Sequence, residues 1–320
     1  MPGRVDIARA DLSARVLTKR AGQLKRQDRI DSFGAASLTV FALFLAFNQI
    51  LIKFVNGGLQ PIFFAGLRSA IAVVCIGLWM TWRGRPPRLR REMLGPGLAI
   101  GLVFSVEFIC LFIALDLTTV TRTSIILYSM PVWMAIGAHF TLANERVTTR
   151  KSLGLVMAFS GVTWALLDRG QDAGTANLVG DLLALGAAIC WAAIALIARG
   201  TRLREIRPEM QLFWQVLVSA PVLIVLSPLF GPLIRDLQMM HVLGLLFQGV
   251  VVVAAGFMFW LWLLSVYPAA GVASFSFMTP VFGVALGWLL LDEPVGPTIL
   301  MALALVATGI VLINRPAKPV

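Results

Sequence analysis

This chain is a succession of apolar blocks, each about twenty residues long and nearly free of charge. A stretch of 18 or more such residues is long enough to cross the hydrocarbon core of a bilayer as an α-helix. The blocks fall at 35–55, 60–82, 94–115, 119–141, 149–167, 178–199, 210–230, 241–266, 269–291 and 295–314. They lack the polar face that a surface helix of a soluble protein presents to water. Composition agrees, with 58% hydrophobic and 13% charged residues, against about 45–50% and about 25% in soluble domains. The mean hydropathy is +0.86. Most gaps are short, so successive helices are antiparallel neighbours with no room for a separate soluble domain. The expected fold is an all-α integral membrane protein with ten transmembrane helices.

The net charge of +11 by itself suggests nucleic acid, but its distribution argues for a lipid bilayer as the partner. Eight basic residues precede Asp31. Further clusters follow the second, fourth, sixth and tenth blocks: Arg83, Arg85, Arg88, Arg90 and Arg91; Arg146, Arg150 and Lys151; Arg199, Arg202, Arg204 and Arg207; Arg315 and Lys318. The opposite loops hold only Arg169 and Arg235. This is the positive-inside pattern, and it places both termini in the cytoplasm of a multi-pass inner-membrane protein. The basic tail 1–32 has no apolar core of a signal peptide. Val5, Leu12 and Val16 give it the option of lying on anionic lipid; the alternative is a disordered tail that enforces orientation. Cys75, Cys110 and Cys190 sit inside apolar blocks without CxxC spacing, and read as small core residues. Neither His139 nor His241 has a second ligand at metal spacing, so no metal or cofactor is expected.

The ten blocks divide into two fives, 33–167 and 178–314, that look alike. Ser129-Met130-Pro131-Val132-Trp133 answers Met278-Thr279-Pro280-Val281-Phe282, and each run continues to an acid, Glu145 or Glu293, and then to Gly161 or Gly309. Five is odd, so the second copy enters the membrane from the opposite side. Two inverted five-helix repeats around a central cavity are a frequent plan of secondary transporters.

The run Asn48 to Lys53 with Pro61, Phe63, Phe64 and Arg68 resembles the first two helices of the EamA-type drug/metabolite transporter superfamily. Leu289-Leu290-Leu291-Asp292-Glu293 after Pro280 is similar to the end of its ninth helix, and Leu142-Ala143-Asn144-Glu145-Arg146 to the matching place in the first repeat. The resemblance spans about residues 35–314. The family's usual Trp three positions before the Asn is Leu45 here, while Trp191 keeps an aromatic in the second copy. The resemblance implies ten helices around a cavity and export of amino acids, metabolites or drugs, or import of nutrients.

Charges inside a bilayer are costly and are functional candidates by default. Arg68 and Glu107 each lie roughly 12 Å from the same membrane face on neighbouring helices, which suggests that they pair or share a polar cavity. As a pair they are structural; in a cavity they bind substrate or exchange protons. Lys53 either snorkels to the interface or joins Gln49, one turn earlier on the same face, along the cavity. Asn48 is offset from that face and lines the cavity or bonds across helices. Arg122 and Asp181, close to the outer surface, are expected to be solvated caps. Pro131 and Pro280, near mid-membrane, are expected to kink their helices, as static bends or as hinges. Tyr128, Trp191 and Trp260 are candidate walls for cargo, and Gly154, Ala158 and Gly161 suit close helix packing.

No catalytic constellation, nucleotide loop or metalloprotease motif is present, so the chain is not read as an enzyme. The expected function is a secondary transporter, most simply exporting amino acids or related small metabolites. Uptake of a nutrient is the alternative within transport; a membrane-embedded enzyme or a non-transporting scaffold is the alternative outside it. Association into a homodimer is left open.

Overall fold

The computed structural model describes residues 30–141, 148–167, 177–267, 272 and 275–314. The tail up to residue 29, Glu145, Arg146, Arg169 and Arg315 lie outside the described residues.

Helix boundaries follow local chemistry. Helix α1, Ser32–Asn56, starts where the Asp31 carboxylate accepts from the Gly34 N–H at 2.7 Å, a side-chain cap for an otherwise free donor. Helix α2, Pro61–Trp82, has Gln60 accepting from the Phe63 N–H at 2.6 Å and a proline in its first turn, where no N–H is needed. Helix α3, Leu94–Leu117, follows a 3₁₀ turn, Arg91–Met93. The fourth block is two helices, α4a (Val120–Leu127) and α4b (Met130–Thr141). Then come α5 (Thr149–Leu167), α6 (Leu178–Gly200) and α7 (Pro208–Leu226). The eighth block comprises α8a (Met239–Phe247), a π-helical stretch (Gln248–Gly256) and α8b (Phe257–Val266). Helices α9 (Met278–Leu291) and α10 (Pro297–Asn314) complete the chain.

Among the described residues, seven helices are long and apolar enough to cross a membrane, and two shorter apolar helices span Phe275–Leu291 and Pro297–Ile313. The molecule is an all-helical integral membrane protein. Large apolar side chains such as Val40, Leu78, Trp82, Phe140, Leu229 and Trp288 point outward, as expected when the surrounding solvent is hydrocarbon.

The two prolines differ from the expected mid-helix kinks. Pro131 and Pro280 each fall in the first turn of a helix, after the break at Tyr128-Ser129 in one case and after the 3₁₀ turn Phe275–Phe277 in the other. A proline there restarts a helix without sacrificing a hydrogen bond.

Packing is pairwise: α5 lies on α10, α3 on α6 and α7, α2 on α7 and the π stretch of α8, α1 on α9, and α4 between α6 and α9. Small residues set the α5–α10 contact. A Cβ on Gly154 would stand 2.8 Å from the Gly309 carbonyl oxygen, and one on Gly309 would stand 2.6 Å from that of Gly154. The main core runs through Ile52, Phe64, Phe112 and Ile125. A separate cluster gathers Leu38, Leu263, Val266, Tyr267 and Val272. We call the two ends of the bundle the Asp31 end, where α1 starts, and the Asn56 end, where it stops.

Candidate functional site

Three helices meet around the middle of α1. Gln49 accepts from the Ser124 hydroxyl of α4a at 3.1 Å, and its own Nε2 is buried without a partner. Gly283 of α9 closes on the same point, since a Cβ there would be 2.1 Å from Ser124 Oγ. At the end of α4a, Tyr128 meets Trp191 of α6 edge to face, with centroids 5.7 Å apart and planes at 78°. The Tyr128 hydroxyl also faces the Thr279 side chain of α9. The structure therefore brings Gln49, Tyr128 and Trp191 to the α1–α4–α6–α9 junction.

Arg68 and Glu107 are both buried, at 5% and 7% exposure. Among the described residues they form no ion pair with each other or with anything else. The guanidinium carbon instead lies 5.0 Å from the Phe108 ring centroid and 5.5 Å from that of Phe112, a cation–π arrangement. Arg68 Nε and Nη1 are buried without partners. The direct pair expected from matched depth is absent because Phe108 and Phe112, a turn apart on α3, occupy the face nearest Arg68. Glu107 is rotated by one residue about the axis, so it remains in electrostatic reach of Arg68 and also of Cys110 and Cys190.

The other candidates are placed elsewhere. Lys53 reaches the end of α3. Its Nζ donates to the carbonyl oxygens of Leu115 at 3.1 Å and Thr118 at 2.6 Å, satisfying acceptors that the end of α3 leaves free. Asn48 faces α8, where its carbonyl oxygen accepts from Gln248 Nε2 at 3.3 Å. Trp260 stacks on Phe41 at 5.2 Å and 15° and packs against the Asp31-end cluster.

The Asn56 end is tied by polar contacts. Arg122 and Asp181 are not solvated caps: they are 2% and 0% exposed and form an ion pair, Nε at 3.0 Å and Nη2 at 2.8 Å from Oδ2. Thr118 Oγ1 donates to the same carboxylate at 2.7 Å, and Arg122 also donates to the Ala165 carbonyl oxygen. Four helices, α3 to α6, are thereby joined. Glu293 was read from the sequence only as a marker of the repeat. Its two carboxylate oxygens accept from the Val120 and Thr121 N–H groups at 2.7 and 2.8 Å, where an anion suits both the free donors and the helix dipole. Asp292, at φ 51°, turns the chain back so that Glu293 reaches this point. Gly287 leaves it room, since a Cβ there would be 2.6 Å from Oε2. At the rim, Arg235 bridges Asp116 (2.7 and 2.8 Å) and the Asn56 carbonyl oxygen (3.0 Å), and the Asp116 hydrogen bonds hold its guanidinium above the usual value.

The Arg122–Asp181 pair had a usable signal, because both residues lie within about one turn of the same end of their helices, α4a and α6. The role of Glu293 had none, since the N–H groups it binds belong to a distant stretch of backbone. Among the described residues no group of three His, Cys, Asp or Glu side chains is placed to hold a metal ion.

The chain resembles known proteins over most of its length. The model of the EamA-like transporter family matches residues 32–167 and again 178–315. A Bacillus subtilis (strain 168) protein named "Uncharacterized transporter YoaV" is 24% identical over 84% of this chain and 92% of its own. The "Probable amino-acid metabolite efflux pump" of Escherichia coli (strain K12) is 26% identical over 82% of this chain and 88% of its own. A solved structure described as "Crystal structure of protein" superposes with a TM-score of 0.63 at 19% identity, covering 86% of this chain and 95% of the other, which speaks to the fold.

Proposed function

The chain belongs to the EamA-like transporter family, and on that premise we propose that it exports amino acids or related small metabolites across the inner membrane by alternating access, with both termini cytoplasmic and the Asn56 end facing out. Two inverted five-helix halves perform the exchange. The packing supports this arrangement. Exchanging α1–α5 with α6–α10 leaves α2–α7, α4–α9 and α5–α10 as self-matched contacts and turns α1–α9 into α6–α4. A relative named as an amino-acid metabolite efflux pump supports the cargo class.

One observation carries the proposal: a buried base and a buried acid are kept within electrostatic reach without touching. Burying two charges is costly, and a purely structural role would favour a tight hydrogen-bonded pair. Held apart, Arg68 is free to meet a carboxylate and Glu107 an ammonium group. Tyr128 and Trp191 then pack the rest of the cargo, and Gln49 supplies a free amide donor. Lacking a nucleotide site in its sequence, the protein draws energy from gradients or exchange. Pro131 and Pro280, each beside a break in its helix, are the hinges of the two halves.

The test is flux of a radiolabelled amino-acid panel in proteoliposomes of defined orientation. Wild-type protein should move at least one member outward, and Arg68→Gln and Glu107→Gln should each abolish that flux while remaining folded. Normal transport by both variants removes the pair from the mechanism, and net inward movement replaces export with uptake.

A further inference from the structure

Two amide groups sit in the seam between α1 and α8 with acceptor oxygens facing nothing that satisfies them. Gln248 is 0% exposed and opens the π-helical stretch. Its Nε2 donates to the Asn48 carbonyl oxygen at 3.3 Å, so its Oε1 is turned the other way and is buried without a partner. The Oδ1 of Asn48 is likewise buried without a partner. The orientation of the Gln248 amide is fixed by chemistry, because a reversed amide would set two acceptors against each other.

Both residues lie roughly 12–14 Å from the Asn56 end, well inside the apolar zone. Buried polar atoms are nearly always bonded, and two orphaned acceptors on residues joined by that hydrogen bond ask for the same thing, a positive partner. Among the described residues neither finds one. Lys53, the only cation of α1, is turned away onto the end of α3. A π-helical stretch departs from regular helical hydrogen bonding and marks functional positions in many helices. Interrupted helices near mid-membrane are where transporters coordinate small cations through neutral oxygens. A divalent ion demands carboxylates; ligands that are all neutral amides and carbonyls fit a single charge.

We propose that Asn48 Oδ1 and Gln248 Oε1 form a binding site for one monovalent alkali cation, Na⁺ or K⁺. Binding stands independently of the export reading; only its purpose, coupling cation movement to cargo, rests on it. The site tethers α1 to α8, one helix from each half, so occupancy bears on how the halves move.

Thermal unfolding of the full-length protein in detergent tests this, with choline chloride replaced stepwise by NaCl or KCl at constant ionic strength. One alkali ion should raise the midpoint saturably, and choline should not. Gln248→Met and Asn48→Leu should each weaken the apparent affinity about tenfold or more, and Gln248→Glu, which adds a charge to the same position, should tighten it about tenfold. A midpoint in wild-type protein that is indifferent to the ion overturns the proposal, as does an affinity unchanged in Gln248→Met. If the two apolar variants do not fold, Gln248→Glu decides alone, and unchanged affinity there is equally fatal. Cargo flux in alkali-free proteoliposomes is read separately: absence of flux under every ion sinks the export reading while leaving the binding isotherm intact.

Discussion

The two ends of this bundle are closed by different physics. At the Asn56 end, charges and backbone groups hold the helices. Arg122 is bonded to Asp181, Glu293 to the start of α4a, Lys53 to the end of α3, and Arg235 to Asp116. At the Asp31 end, aromatic rings do the work: Trp260 on Phe41, Phe259 on Trp262, and Phe33 edge-on to Trp262, with the Tyr267 hydroxyl donating to Asp31 at 2.9 Å. Directional bonds in a low-dielectric setting have one good geometry and lose it all at once. Ring contacts tolerate several offsets and repack gradually. The comparison teaches that the contacts at one end have a single good geometry and those at the other have several.

The sharpest way to break this picture is Asp181→Ala. It strands the buried Arg122 guanidinium, and loss of one partner of a buried pair costs about 3–5 kcal/mol. Thermal unfolding should fall steeply, and Arg122→Met combined with Asp181→Leu should recover much of the loss. A mild single mutant would show that water already reaches the pair.

Next in size is Glu293→Gln, which leaves the two N–H groups with a weaker, partly mismatched partner at a cost of about 1–3 kcal/mol. The Asn56 end should then open more often. In a background freed of Cys75, Cys110 and Cys190, a cysteine placed at Ser124 should react faster with a membrane-impermeant thiol reagent added from that side. Equal labelling rates would mean that Glu293 does not hold this end shut.

At the other end a smaller effect is expected. Trp260→Leu removes one stacked pair, worth about 0.5–1.5 kcal/mol beyond the area lost, and thermal stability should drop by a corresponding few degrees without a change in Ser124 labelling. A large change in labelling would couple the two ends more tightly than their different chemistry suggests. The smallest effect belongs to Arg235→Gln. Arg235 is 38% exposed in its pair with Asp116, so about 0.2–1 kcal/mol is at stake, and stability measured at low and high salt should show the difference vanishing as screening rises.

Much of the fold was legible in the residues. Helix starts at Asp31, Gln60 and Pro208 carry caps or prolines. Most of the apolar blocks locate the helices to within a few residues, although the fourth is interrupted at Tyr128-Ser129, the eighth contains a π stretch, and the helix of the ninth starts at Met278 rather than at 269. The candidate site was legible in part. Gln49 and Lys53 share a face, yet one meets Ser124 and the other the end of α3. Tyr128 and Trp191 were separate aromatics until the fold set them edge to face, and Trp260 went to a different cluster. Arg68 and Glu107 were matched in depth, but depth says nothing of rotation about the helix axis, and rotation put two phenylalanines in front of the guanidinium.

The sequence by itself determined that the chain is a helical membrane protein, roughly where each helix lies, and how far along each helix the costly polar groups sit. These follow from hydropathy and rise per residue, which are sums over a local segment. Only the tertiary structure decided which of those groups touch: Arg122 with Asp181, Glu293 with a distant helix start, and Arg68 with rings instead of with Glu107. A contact depends on the azimuth at which two helices face each other, and that angle is set by the packing of every neighbour at once.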